Sequence, residues 1–157
     1  MSTMSSVFVA VLAVALSALL GAAPATAQVM VEGGWKSGNG SEIVIAPCAA
    51  GYCGTLTKPA VSDADLAKYG DAQTAMQSFV DENNQDKSLR GRPLVGLELL
   101  RIKGTNNPWY FEGEVYNPSD GKTYSGAITM LGADAMMLKG CALFVFCKEE
   151  QWNRVTN

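Results

Sequence analysis

The sequence contains no histidine among its 157 residues. This absence excludes Ser-His-Asp and Cys-His catalytic systems, and it removes the commonest metal ligand. The remaining acid–base candidates are carboxylates, such as Glu112 and Glu114 on one face of a predicted strand. Neighbouring carboxylates on an outward face are more often solvated charges than a catalytic pair. We therefore expect no enzymatic activity.

The chain also lacks a dense cluster of lysine and arginine. It has 12 basic and 15 acidic residues, which give a net charge of −3. Binding to the phosphates of nucleic acid requires a basic patch, and attraction to an anionic membrane surface has the same requirement. We therefore expect no nucleic acid partner and no electrostatic binding to membranes.

Apolar runs are scarce outside the N-terminal region, where residues 7–20 form one. This run is shorter than the roughly 20 apolar residues that a membrane-spanning helix needs. Small residues and an Ala-Thr-Ala triplet follow it, as in secretory signals. We interpret residues 1–27 as a signal peptide cleaved before Gln28, with a retained N-terminal anchor as the alternative. Cleavage predicts one domain over residues 28–157, periplasmic or secreted and without stable membrane insertion.

The four cysteines form no CxxC pair and have no histidine beside them, so neither a zinc site nor a redox pair is indicated. All lie in the predicted exported part, where disulfides persist. Cys48 and Cys53 flank a glycine-containing tetrapeptide and can meet across a hairpin, which is the preferred pairing. On a straight strand Cys141 and Cys147 would be about 20 Å apart. Their pairing requires the intervening segment to fold back; otherwise each meets one of the earlier cysteines.

Alternation of apolar and polar residues dominates the predicted exported part. It predicts about eight short strands, over residues 29–36, 42–48, 53–58, 93–104, 108–117, 122–131, 135–140 and 149–156. These strands predict an all-β fold, a single small closed antiparallel β-barrel, because closure removes exposed edges. A two-sheet sandwich is the alternative. Glycines within the predicted strands favour the barrel, whose strands must bend sharply: Gly96, Gly113 and Gly126.

A short helical insertion interrupts the strands. Ser62 is placed as an N-cap, Asp65 completes an acidic variant of the capping box, and Gly70 is placed to end the helix. A second helical segment is predicted within residues 71–82. We expect the insertion to cover an open end or an edge of the sheet.

Two patterns resemble known families. Gly33-x-Trp35 and Arg154 resemble the pair that closes lipocalin-type barrels, where an arginine lies over the tryptophan. Such a contact contributes about 0.5–2 kcal/mol. Over nearly all of the predicted mature chain, the order of GWK, DENNQDKSLRGRPLVGLELL, VYNPSDGKTYSGAITM and QWNRV resembles the uncharacterised secreted bacterial proteins grouped as domain of unknown function 2147. This resemblance implies a lipocalin-like barrel in the periplasm and brings no catalytic residues.

The interior of a small barrel is either filled by its own side chains or holds one small ligand. Aromatic residues favour filling, whereas methionines provide the adaptable wall of a pocket. The candidate ligand-binding residues are Trp109, Phe111, Tyr124, Met130, Met136 and Arg92. Arg92 has two interpretations: it receives a ligand carboxylate at the barrel mouth, or it pairs with Asp81 or Asp86 and fixes the loop.

No metal or cofactor is predicted. Asp81, Asn83 and Asp86 offer oxygen atoms in one loop, but the loop lacks the glycine and the closing glutamate of an EF-hand. The sequence therefore favours an exported barrel that binds a small apolar or amphipathic molecule. The alternative is an envelope structural or interaction module with a packed barrel, whose exposed aromatics Tyr110 and Tyr116 contact an unknown protein partner.

Overall fold

The computed structural model describes residues 31–143 and 145–156. They form a closed eight-stranded antiparallel barrel in which each strand pairs with its sequence neighbours and the first pairs with the last. The predicted all-β barrel is thus confirmed, and the sandwich is excluded. The strands are β1 (Gly33–Lys36), β2 (Glu42–Cys48), β3 (Gly51–Lys58), β4 (Glu98–Gly104), β5 (Tyr110–Asn117), β6 (Lys122–Met130), β7 (Ala135–Ala142) and β8 (Phe146–Arg154). The predicted signal peptide, residues 1–27, and its cleavage point before Gln28 lie outside the described residues.

Most strands differ somewhat from their predicted extents, and the differences at β4, β7 and β8 are informative. β4 begins at Glu98 instead of residue 93, because Gly96 turns the chain with a φ of 89°. β7 continues to Ala142 and β8 begins at Phe146. The charge-poor segment between these strands is therefore a hairpin turn, a possibility that the alternating pattern alone does not reveal.

The barrel has two different ends, which follow from the strand order. The connections β1–β2, β3–β4, β5–β6 and β7–β8 lie at one end, which we call the open end. The connections β2–β3, β4–β5 and β6–β7 lie at the other end, together with the junction of β1 and β8, and we call it the closed end.

The helical insertion belongs to the β3–β4 connection at the open end. It contains α1 (Asp63–Tyr69), α2 (Ala72–Ser78) and a 3₁₀ turn at Lys87–Leu89. The predicted capping box is present: Asp65 N–H donates to Ser62 Oγ, and Ser62 N–H donates to the Asp65 carboxylate. Within the described part of the chain, no helix is both long and apolar enough to cross a membrane.

The core takes inward-facing residues from all eight strands, and on β5 to β8 it lies toward the closed end. Strand register brings inward-facing partners opposite one another, such as Ile43 with Leu56 and Phe111 with Ile128. Because glycine has no side chain, Gly113 lets Ile102 of the adjacent strand pack closely. The largest fully buried apolar side chains form this layer: Trp35, Ile43, Ile45, Leu100, Ile102, Ile128 and Met136.

A contact between the first and last strands closes the barrel. The Arg154 guanidinium lies 4.3 Å from the centre of the Trp35 ring. Arg154 also donates to the carbonyls of Glu32 and Ala133, and Trp35 Nε1–H donates to the Val31 carbonyl. The predicted Trp35–Arg154 pair is therefore present. Gly33 leaves room for it, since a Cβ there would lie 2.6 Å from Arg154 Nη1.

Two disulfides link neighbouring strands, one at each end of the barrel. Cys48 bonds to Cys53 across the β2–β3 hairpin, with a Cα separation of 5.7 Å. Cys141 bonds to Cys147, its direct register partner between β7 and β8. Both preferred pairings are confirmed, and the chain between Cys141 and Cys147 does fold back on itself.

Candidate ligand-binding site

The residues predicted to bind a ligand mostly lie elsewhere. Phe111, Met130 and Met136 are buried in the packed core and do not line the hollow described below. Trp109 precedes β5 at the closed end and is 48% exposed, so its predicted inward orientation is wrong. Of the five apolar candidates, Tyr124 alone lines the hollow at the open end.

This hollow, which we call the open-end cavity, has a volume of about 600 Å³. Its walls are inward-facing residues of β5 to β8. The lining includes Val115, Tyr124, Leu138, Ala142, Phe146 and Lys148. Ligand sites in proteins typically measure about 300–1,000 Å³ and are mostly apolar with a few placed polar groups. In size and chemistry, the cavity suits a small molecule with an apolar part.

Small residues explain why the core stops where it does. Gly126 and Gly140 are directly paired inward positions of β6 and β7, and neither carries a side chain into the barrel. Val115 packs against both, because a Cβ added at Gly126 or Gly140 would lie within 3.4 Å of it. On the open-end side of this layer, Ala142 contributes only one methyl group to the barrel interior. Between β5 and β8, the half of the barrel nearest the open end is therefore not filled by its own side chains.

The same cavity continues beneath the helical insertion. An adjoining space of about 520 Å³ is lined by Ile43, Leu56 and Trp152 from the barrel and by Phe79 and Leu94 from the insertion. The two spaces share four lining residues, so they meet inside the barrel: Val115, Asn117, Leu138 and Glu150. The insertion thus lies over the open end, which is one of the two positions predicted for it.

The part of β8 nearest the open end contributes charged side chains to the cavity. Alternation places Phe146, Lys148, Glu150 and Trp152 on its inner face. Glu150 accepts a hydrogen bond of 2.8 Å from Trp152 Nε1–H, so this carboxylate already has a partner. Lys148 forms no ion pair with any described residue. Its ammonium is the cationic group that the cavity offers to a ligand.

Beside β8 the barrel wall is incomplete. β1 is short, and it pairs with β8 only at Trp35–Arg154 and Lys36–Asn153. Within the described ranges 31–143 and 145–156, the portion of β8 from Phe146 to Gln151 pairs with β7 alone. Lys148 therefore lies on a part of β8 that is paired on one side, and its side chain is exposed.

At the cavity rim, Tyr124 donates a hydrogen bond to Asp120 in the β5–β6 turn. This hydrogen bond, together with burial, raises the pKa of Tyr124 above its ordinary value. The phenol therefore stays protonated at neutral pH. It fixes the turn and places a neutral aromatic ring at the cavity wall.

Arg92 is engaged in the loop that follows the helices. Its Nη2 lies 2.8 Å from the carboxylate of Asp81, which is fully buried. Tyr116 and Asn84 donate to the same carboxylate at 2.6 and 2.7 Å. The structure therefore supports the loop-fixing interpretation of Arg92. Arg92 does not line the open-end cavity, and a ligand contact by this residue stays a prediction. The structure also commits the Tyr116 hydroxyl to an internal contact.

The electrostatics of this cluster follow from its contacts. Burial acts to raise the pKa of Asp81, but hydrogen bonds from Tyr116, Asn84 and Arg92 outweigh it, so the pKa lies below its ordinary value. Burial and the hydrogen bond to Asp81 raise the pKa of Tyr116. Asp81 is therefore a permanently charged anchor at neutral pH. Asp86, the other predicted partner of Arg92, instead caps the 3₁₀ turn by accepting a hydrogen bond from Ser88 N–H.

A wider groove of about 910 Å³ runs outside the barrel, between the 84–92 loop and the outer face of β6 and β7. Outward-facing residues such as Thr123 and Ser125 form its floor. A surface depression of this kind removes little of a ligand from water. The open-end cavity, which lies inside the barrel wall and has a mostly apolar surface, is the better binding site.

The sequence contained a signal for the missed residues. In the segment FCKEEQW, period two puts Phe146 and Lys148 on the same face as Trp152. Since Trp152 is buried in the barrel, the whole face must point inward. The charged composition of β8 conceals this, because a strand facing an open cavity need not be apolar.

Comparison with known proteins agrees with the architecture. No curated protein sequence matches the chain. The structure is similar to HP1028 from the human pathogen Helicobacter pylori, described as belonging to the lipocalin family, with a TM-score of 0.61 and 18% sequence identity over 80% of this chain and 83% of that one. A family model described as "Uncharacterized protein conserved in bacteria" matches residues 33–154. The chain therefore belongs to this bacterial family, DUF2147.

Proposed function

We propose that the protein binds a small amphipathic molecule, with its apolar part in the open-end cavity and a polar or anionic group near Lys148. The observation that carries the proposal is the open-end cavity, whose surface is mostly apolar. One inward-facing lysine lines this cavity and forms no ion pair among the described residues. Apolar burial supplies affinity at about 25 cal/mol per Å². The ammonium group supplies selectivity for one kind of headgroup.

The lipocalin-like fold supports this proposal in general terms, since eight-stranded barrels of this size hold at most one small ligand. Binding without chemical turnover is the form we favour, because the sequence has no histidine and the cavity acids are hydrogen-bonded within the protein. The protein would then store, carry or sense its ligand.

The proposed compartment is the periplasm or the extracellular space. All four cysteines are in disulfides, and such bonds persist in oxidising compartments. The disulfides themselves indicate a location outside the cytoplasm. The signal peptide inferred for residues 1–27 supplies the export route in this proposal.

The test is displacement of a fluorescent probe, dansyl-labelled undecanoic acid, by dodecanoic acid and by dodecanol. We expect the unmodified protein to bind both and Lys148→Met to bind dodecanoate about tenfold more weakly, because one charge-assisted contact is lost. Binding of dodecanol should change little. The matched control is Lys139→Met, an outward-facing lysine of β7 paired with Glu149.

Two results would contradict the proposal. One is the absence of probe binding to the unmodified protein. The other is an equal loss of dodecanoate binding in Lys148→Met and Lys139→Met, since that would place the anion on the outer surface. Thermal unfolding of each variant checks that the barrel remains folded.

A further inference from the structure

The β7–β8 turn exposes a concentrated group of apolar side chains. Leu143, Val145 and Phe146 are 81%, 71% and 72% exposed, and we call these three residues the apolar tip. Single exposed apolar residues are normal on protein surfaces. Three large ones within four positions of one turn form a patch, and patches of this kind mark interaction sites.

The two strands that carry the tip are fixed to each other. The Cys141–Cys147 disulfide bonds the two strands at its base, and Ala142 pairs with Phe146 above that bond. Val145 N–H donates to the Ala142 carbonyl, and Leu143 adopts a left-handed φ of 51°. A turn held covalently in this way presents its apolar side chains outward at a small cost in conformational entropy on binding.

The tip lies at the open end and is continuous with the proposed ligand site. Val145 and Phe146 contribute to the lining of the open-end cavity as well as to the exposed surface. Whatever covers the tip therefore lies directly at the entrance of the cavity.

We propose that the apolar tip inserts into the interfacial region of a lipid bilayer and holds the cavity entrance against the membrane. Residues 141–147 contain no charged side chain, so the exposed apolar groups of the tip can enter the bilayer interface without burying a charge. The proposal extends the proposed function, because amphipathic molecules partition into membranes and a ligand of this kind would be taken up there. The observation on which it rests is the exposure of the tip side chains, whereas the proposed function rests on the cavity and Lys148.

The charge of the protein restricts the kind of membrane. With a net charge of −3, the chain gains no general attraction to anionic lipids. Apolar contact must therefore carry the binding, and neutral lipids suffice. This predicts binding to phosphatidylcholine vesicles that persists at high salt, whereas electrostatic binding would be screened.

The experiment is flotation of the disulfide-bonded protein with phosphatidylcholine vesicles, without added ligand. The test variant combines Leu143→Asn with Val145→Ser; asparagine tolerates the left-handed backbone at residue 143. The matched control is Leu131→Ser, an exposed apolar residue (53%) at the closed end. We expect vesicle binding by the unmodified protein and the control, and at least about tenfold weaker binding by the double variant.

Failure of the unmodified protein to float, or equal flotation of the double variant and the control, would overturn the proposal. So would a tip-dependent crosslink to a protein partner from cells without vesicle binding, because the tip would then be a protein interface. Circular dichroism confirms that each variant is folded. Since no ligand is added, the result is independent of the probe titration that tests the proposed function.

Discussion

At the residue scale, Asp81 shows how a buried charge fixes a loop. Its carboxylate receives hydrogen bonds from Arg92, Asn84 and Tyr116, which come from two parts of the chain. The Arg92 guanidinium also lies 5.4 Å from the centre of the Tyr116 ring. These contacts hold the loop of residues 81–93 on β5, next to the open end. The cluster thus fixes the position of a loop that lies beside the open-end cavity.

Because its folded-state pKa is lowered, Asp81 should make stability depend on acid pH. Its contribution is present above the unfolded-state pKa of about 3.9 and is lost as pH falls through the lower folded-state value. We expect Asp81→Asn to reduce the free energy of unfolding by about 2–3 kcal/mol at neutral pH, since buried partners lose their anion. The difference between variant and unmodified protein should shrink in acid.

Urea unfolding at neutral pH and near pH 3 measures this difference. Glu112→Gln is the control, because Glu112 is exposed on the outer face of β5 and should change stability by less than about 0.5 kcal/mol. A constant difference between Asp81→Asn and the unmodified protein at both pH values would show that the charge of Asp81 does not stabilise the fold.

Sequence reasoning reached part of this cluster. The proximity of Asp81 and Arg92 in sequence favoured a pair between them, and the structure has that pair. Tyr116 could not be assigned to it from sequence, because it is 35 residues from Asp81 and meets it only through the barrel topology. Local spacing predicts contacts within a loop, whereas contacts between a loop and a strand depend on strand order.

At the element scale, the close approach of β4 and β5 depends on glycine. A Cβ at Gly113 would lie 2.0 Å from the Arg101 carbonyl oxygen and 2.7 Å from the Ile102 Cα. The neighbouring strand therefore runs against the backbone itself at this position. The sequence predicted a strand bend at Gly113; what the structure shows at this position is a close approach of two backbones, which glycine allows.

We expect Gly113→Ala to lower the free energy of unfolding by about 3 kcal/mol or more, because the two backbones must separate. Gly132→Ala provides the comparison, since no atom lies within 4 Å of a Cβ at that position. Thermal denaturation followed by circular dichroism measures both. Equal melting temperatures for the two variants would show that the β4–β5 approach is not tightly packed.

The sequence predicted where the strands lie, but it predicted less well which residues of each strand face the interior. The period-two pattern located every strand because each has alternating inward and outward positions. It missed the inward role of Lys148, since facing a cavity removes the requirement for an apolar side chain. It also missed that Trp109 lies outside β5. The Asn107 side chain accepts a hydrogen bond from Trp109 N–H and thereby holds Trp109 in the turn before the strand.

At the scale of the whole molecule, the barrel is divided into a packed half and a hollow half. Trp35, Ile102 and Ile128 are fully buried toward the closed end, whereas Val115 and Ala142 border empty space toward the open end. The sequence predicted the closed barrel and left its filling open. The boundary is set by paired glycines across β6 and β7, a relation visible only once the register is known.

Methyl-labelled nuclear magnetic resonance during a titration with dodecanoic acid tests the central claim most directly. If the open-end cavity holds the ligand, the methyl signals of Val115, Leu138 and Ala142 will shift, and those of Ile102 and Ile128 in the packed half will stay in place. Unchanged Val115, Leu138 and Ala142 signals at saturating dodecanoate, or shifts confined to Leu89 in the outer groove, would contradict the account.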